Sequence, residues 1–336
     1  MDFTIYLGTS RMGRELTWSG ASNSHLYVSG QSGIGKSCFL KHCIAQLPRQ
    51  GVRCFVFDYA GDLQHLGVPC DGLDVRAQAG IDLFRPLLLG QNCWERPYDT
   101  AARVAETVLS IGGMRGGLQQ AGLRNVLKAY IESGATNSGF SGLITQIQSD
   151  LELARAMAPT LLRLQDLDNL LPPVSQAVPW NLEQPGITVL RFDRFPNISA
   201  QSIMTQFLLF DLWSEKLSMS ENSCPVVVVL DECQRFRFAE DGIFTRILRE
   251  GRKYHFSGWF ASQWISNKGT VEALNQAALQ AYFYPGTDRV DALAKRLVPN
   301  RHSVQVYRKL IKGLGIGEFL YVDRQGSPVV SCVPKV

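Results

Sequence analysis

The chain has no Cys-x-x-Cys pair. Its eight cysteines (Cys38, Cys43, Cys54, Cys70, Cys93, Cys224, Cys233 and Cys332) are scattered, several inside apolar runs such as RCFVFD and CPVVVVL. That distribution reads as buried thiols in a reducing compartment, not as a disulfide framework. The five histidines show no metal-ligand spacing among themselves or with the cysteines, which argues against a structural zinc site. No apolar run approaches the roughly 18 residues of a spanning helix. The amino terminus, MDFTIYLGTSRMGREL, carries charge early and lacks the apolar core of a signal peptide. The expectation is a cytoplasmic protein with no direct membrane insertion. Internal repeats and low-complexity tracts are lacking too. Charge is nearly balanced: 34 Lys and Arg against 30 Asp and Glu leave +4, so affinity for nucleic acid has to come from local clusters.

What the sequence does have is apolar material, 45% of 336 residues, enough for a sizeable core. Much of it falls in short β-branched or aromatic runs that end in Gly, Asp or a polar turn: HLYVSG, RCFVFDYAGD, ITVLRFD, PVVVVLDE, FSGWFASQ and AYFYPG. Runs apolar on both faces suit strands of a covered, mostly parallel sheet with helices between them, an α/β fold. Residues 1–20 alternate apolar and polar as a strand or hairpin extension, and 21–336 read as one domain. From about 85 to 180 the apolar residues recur at helical spacing, broken by GGMRGG, SGATNSGFSG and LPPVSQAVP. This stretch reads as a helical insertion, because sheet strands resume after it. The tail, GEFLYVDRQGSPVVSCVP, reads as a hairpin turning at RQGS.

One run carries chemistry on its own spacing. Gly30-Gln31-Ser32-Gly33-Ile34-Gly35-Lys36-Ser37 follows a predicted strand and opens a predicted helix, the context a P-loop requires. Glycines there let backbone N–H groups turn inward around an anion, and the helix start, through Cys38, adds its dipole. Lys36 is placed to reach the β- and γ-phosphates of ATP, and Ser37 to offer a hydroxyl to Mg2+. PVVVVLDE supplies what a phosphate nest lacks, two adjacent carboxylates at the carboxyl end of a strand. Asp231 is the candidate magnesium ligand, and Glu232 the candidate for orienting the attacking water. Asp58 ends the RCFVFD strand and reaches the same edge. It either tunes the metal site or caps a turn. LREGRKYHFSGWFASQ places Arg249, Arg252 and Lys253 before a strand and Gln263 at its end. By pattern alone these are a solvated helix C-terminus and a strand-end cap.

SGQSGIGKS, VFDYAGDLQHL, VVVVLDECQRF and REGRKYHFSGWFASQ, in that order, resemble the HerA/FtsK superfamily of P-loop motors, particularly its HerA and conjugative type IV secretion ATPase branch. LNQAALQAYFYPGTDRVDALAKRL and LGIGEFLYVD resemble the closing segments of that branch. The resemblance covers most of residues 20–325. It implies a RecA-like core in which another strand separates the P-loop and Walker B strands, and a hexameric ring of identical subunits with nucleotide at each boundary. It also implies that Arg252, or next Arg249, is a finger reaching into the neighbour's site, and that Gln263 is the γ-phosphate sensor.

The resemblance makes DNA the cargo and the chain an ATP-driven translocase. Candidate pore cations are Arg235 and Arg237, interleaved with Phe236 and Phe238, and Arg115 in GGMRGG; Arg124 and Lys128 suit a solvated helix face better. Two other readings stay open: a nucleotide-switched subunit regulating a nuclease or other defence effector, and a coupling ATPase of conjugation or secretion with a protein partner. Only about 20 residues precede the P-loop strand, too few for the β-barrel domain through which HerA-type motors dock a nuclease.

Overall fold

The structure, a computed structural model, describes residues 2–334 apart from 64, 89–92, 113–116, 135–138, 171–177, 179, 196, 220–222, 241, 299–303 and 323–327. Arg115 and the RQGS turn lie outside the described residues. In chain order the elements are β1 (Thr4–Ser10), β2 (Glu15–Ser19), β3 (Leu26–Ser29), α1 (Lys36–Ile44), β4 (Arg53–Asp58), β5 (Asp71–Asp74), α2 (Val75–Gln78), α3 (Pro97–Gly112), α4 (Gly117–Glu132), α5 (Gly139–Ser149), α6 (Leu151–Ala156) and α7 (Ala158–Leu170). They continue with β6 (Gly186–Arg191), α8 (Ile198–Ser218), β7 (Val226–Leu230), α9 (Ile243–Glu250), β8 (Phe256–Ser262), α10 (Lys268–Leu274), β9 (Leu279–Phe283), α11 (Val290–Leu297), α12 (Val304–Lys312), β10 (Glu318–Val322) and β11 (Pro328–Cys332).

The doubly apolar runs become the centre of one 11-stranded sheet, in the order β2-β1-β11-β10-β9-β3-β8-β7-β4-β6-β5. From β9 through β5 every neighbouring pair is parallel, and from β9 outward through β10, β11, β1 and β2 every pair is antiparallel. The strand of the glycine motif, β3, and that of the acidic pair, β7, are separated by β8, as the resemblance implies. Successive strand residues face opposite sides, so each run feeds two cores. Phe55, Phe57, Val226, Val228, Leu230 and Phe260 pack beneath the helices that include α3, α8 and α9, whereas Cys54, Val56, Val227, Val229, Trp259 and Ala261 pack on α1 and the amino-terminal hairpin.

That hairpin belongs to the sheet. Thr9 and Ser10 of β1 pair with Cys332 and Ser331 of β11. Where β1 leaves β11, side chains next to α1 replace the missing strand. Gln50 exchanges two hydrogen bonds of 2.7 Å with the Thr4 backbone, and Gln46 accepts from Tyr6 N at 2.9 Å and donates to Tyr6 O at 3.0 Å. The amides thereby satisfy backbone groups that burial would leave costly. Phe3 and Trp18 then pack edge-on, 5.4 Å between ring centroids, with Trp259 of β8 about as close. No helix among the described residues is long and apolar enough to cross a membrane.

Candidate active site

Because β3, β8 and β7 are parallel, their carboxyl ends open on one edge, where side chains from distant parts of the sequence can meet. The glycine loop leaves β3 there and is moored on both sides: Gly30 N donates to Ser262 O at 3.2 Å and Gln31 N to Tyr284 O at 2.8 Å. Gly30 passes so near β9 that a Cβ would lie 2.5 Å from Phe283 Cβ. Gly33 and Gly35 have φ of +75° and +112°, the left-handed region that glycine occupies without a steric cost. A Cβ on Gly35 would also meet Gly317 Cα at 3.1 Å, whereas nothing lies within 4 Å on the corresponding side of Gly33. The loop is thus packed below and open above.

α1 starts at Lys36 with no side-chain cap and no acidic residue in its first turn, which leaves its N-terminal N–H groups for an anion. Lys36 is buried, and its Nζ donates to Gln31 O across the loop at 3.0 Å. Burial lowers its pKa, while the charges of Asp231 and Glu232 oppose the shift. Gln31, Ser32 and Cys38 are exposed, and Ile34 is partly buried against the hairpin-side core.

Asp231 follows the last residue of β7. Its Oδ2 stands 3.5 Å from Ser37 Oγ, a long contact, and its Oδ1 accepts from Glu232 N at 2.8 Å. Burial raises the Asp231 pKa against the Glu232 N–H and the Lys36 charge. Glu232 has φ 53° and ψ 37°, a left-handed conformation that costs about 1–3 kcal/mol for a residue with a side chain. Gln263 Nε2 lies 3.4 and 3.3 Å from the two Glu232 carboxylate oxygens. Gln234, which sequence reasoning missed, completes this group. Its amide donates to Glu232 Oε2, and its Oε1 accepts from Gln263 N at 3.3 Å. The available signal was an amide two positions beyond the acidic pair, within reach of the same carboxylate.

The other candidates do not join this group. Asp58 reaches the same edge, but both of its oxygens are used at home: Oδ1 accepts from Ala60 N and Gly61 N, and Oδ2 from Leu63 N, at 3.3, 2.9 and 3.2 Å. It caps the turn after β4, and burial raises its pKa against those donors. Arg249 lies in the last turn of α9, 3.7 Å from Glu240. Arg252 is exposed on a short 3-10 turn, Gly251–Tyr254, that leads into the amino end of β8. That is the opposite edge of the sheet from Gln263. Arg235 lies 5.7 Å over the Tyr59 ring and donates to Gln201 Oε1 at 3.3 Å, so its charge is held inside the protomer. Arg237 is exposed, whereas Phe236 and Phe238 are buried against Phe244; they offer no stacking surface to a nucleic acid. Arg124 stands 5.0 Å over the Tyr98 ring, and Lys128 pairs with Glu132 one turn on. No cluster of three or more His, Cys, Asp or Glu suited to a metal occurs among the described residues.

No protein-family model matches the chain, and no curated protein matches it. Solved structures do. VirB4 of Thermoanaerobacter pseudethanolicus is similar with a TM-score of 0.72 and 16% identity, over 99% of this chain and 96% of that one. The plasmid coupling protein TrwB in complex with the non-hydrolysable ATP analogue ADPNP is similar with a TM-score of 0.63 and 18% identity, over 92% of this chain and 84% of that one. TrwB in complex with ADP and Mg2+ gives 0.65 and 18%, over 92% and 85%. At these identities the likeness is one of fold, the RecA-like P-loop fold that the resemblance implies.

Proposed function

We propose that this P-loop NTPase fold works as an ATP-hydrolysing ring motor of the HerA/FtsK type whose cargo is DNA. The observation that carries the reading is the convergence of Lys36, Ser37, Asp231, Glu232 and Gln263 at the carboxyl edge of three adjacent strands. The glycine loop and the start of α1 would bind the phosphates through backbone N–H groups. Lys36 would exchange Gln31 O for phosphate oxygen. Ser37 and Asp231 are hard oxygen donors facing each other at 3.5 Å, a set that suits Mg2+ completed by phosphate and water. Bound Mg2+ would supply neutralisation of charge between the β- and γ-phosphates. Glu232, with its carboxylate held by Gln234 and Gln263, is poised to orient a water and accept its proton. The Gln263 amide can sense that water without adding charge.

In this reading the site is composite. Arg252 stands at the far edge of its own sheet, so a role in stabilising the transition state requires the adjacent protomer of a homo-oligomeric ring, hexameric in this reading. Among the pore candidates, Arg237 has the exposure that a DNA contact needs. The decisive experiment is the ATPase rate with duplex DNA, with single-stranded DNA and without nucleic acid, across a salt series. Strong stimulation that falls as salt rises supports the motor. A rate indifferent to DNA but responsive to a nuclease or other partner protein supports a nucleotide-switched subunit or a coupling ATPase instead.

A further inference from the structure

We infer that the loop Gly313–Glu318, with Ile316 at its tip, is the shelf on which the nucleobase of the bound nucleotide rests; this builds on the reading of the glycine loop as a phosphate cradle. The strand order sets the direction. β3 is flanked by β8 on one side and β9 on the other, and the groups suited to hydrolysis, Asp231, Glu232 and Gln263, all come from the β8 and β7 side. The phosphate that is cleaved lies there, so the nucleoside leaves the cradle over β9 and β10.

On that side the cradle is bordered by the turn after β9, whose Tyr284 O accepts from Gln31 N, and by this loop. Gly317 N donates to Ile34 O at 2.9 Å, and Gly317 Cα would stand 3.1 Å from a Cβ on Gly35. Ile316, one residue before, is therefore within a few ångströms of the cradle wall, and it is 82% exposed. Its exposure is not that of a slack loop. Arg11 grips Glu318 through Nε at 2.9 Å and Nη2 at 2.5 Å, and donates to Gly313 O at 2.5 Å. Glu318 in turn accepts from Gly315 N at 2.8 Å, and Val333 N donates to Gly317 O at 2.8 Å. A branched aliphatic side chain held out by so many bonds, between two glycines that leave room beside it, is a preformed apolar face for a flat ring.

The test compares ATP with inorganic tripolyphosphate, which has the phosphates but no base, by calorimetric titration of the full chain. Ile316→Ala is expected to weaken ATP about five- to tenfold while leaving tripolyphosphate within about twofold. Equal loss of both ligands would overturn the inference, since the loop would then be shaping the cradle or touching a neighbouring protomer. Unchanged affinity for both would overturn it as well. If the unaltered chain bound no tripolyphosphate, the cradle itself would fall and the shelf with it, an outcome visible before any variant is made.

Discussion

Replacing Arg252 by alanine separates a composite site from a self-sufficient one. β8 runs seven residues, Phe256 to Ser262. At ~3.3 Å per residue its ends are about 20 Å apart. Arg252 lies before the first and Gln263 after the last, a span no arginine side chain crosses. Within one protomer the substitution therefore removes nothing from the site. Between protomers it removes a finger worth about 10^3 to 10^5 in rate. The expected outcome for Arg252→Ala is ATP binding within about twofold of the parent and turnover lower by about 10^3 or more. Mixing the variant with Glu232→Gln subunits refines the test. A boundary is complete where a Glu232→Gln protomer, which keeps Arg252, abuts an Arg252→Ala protomer, which keeps Glu232. In randomly mixed rings that is about a quarter of boundaries, so about a quarter of the parent rate should return. Phosphate release measured on the two pure variants and on the equimolar mixture reads both numbers. Parental turnover by pure Arg252→Ala would refute the reasoning.

Gln234→Leu removes the amide that joins Glu232 to Gln263. Loss of a hydrogen bond to a charged group is expected to lower kcat by about tenfold or more at unchanged affinity for ATP, and an unchanged kcat would show that Glu232 is positioned without it. His25 is buried, accepts from Gly258 N at 3.0 Å through Nδ1, and makes no hydrogen bond through Nε2. Burial lowers its pKa to about 4. The unfolded chain, with histidine near 6.5, binds that proton first, so stability is full above about pH 6.5 and falls as pH drops towards 4, by up to about 3 kcal/mol. Denaturant unfolding at pH 7 and 4.5 should show that slope reduced in His25→Gln; equal slopes in both proteins would contradict it.

How much of this was legible beforehand follows from how local each feature is. The six runs read as strands became β3, β4, β6, β7, β8 and β9, because a strand covered on both faces is apolar throughout. β5, with the sequence DGLD, was missed: it is short, polar and at the sheet edge. The motifs brought Lys36, Ser37, Asp231 and Glu232 to one edge without any structure, since each directly follows a strand or the loop that leaves one. The neighbours that shape them were not legible. Gly317 touches Gly35 across the whole length of the domain, and the glutamine side chains that replace a strand beside β1 come from the helix end and turn that follow the glycine loop. Such contacts depend on strand order, which no spacing along the chain encodes. The phenylalanines beside Arg235 and Arg237 show the converse limit. Interleaved aromatics suit a nucleic-acid contact and a packed core equally well, and burial chose the core.

The account stands on Glu232 acting on a nucleotide held by the glycine loop. The most direct measurement is a paired one on Glu232→Gln, of ATP affinity and of single-turnover phosphate release with Mg2+ present. The account predicts affinity within about twofold of the parent and a release rate lower by at least about 10^2. Unaltered release, with ATP still bound at the loop, would contradict it.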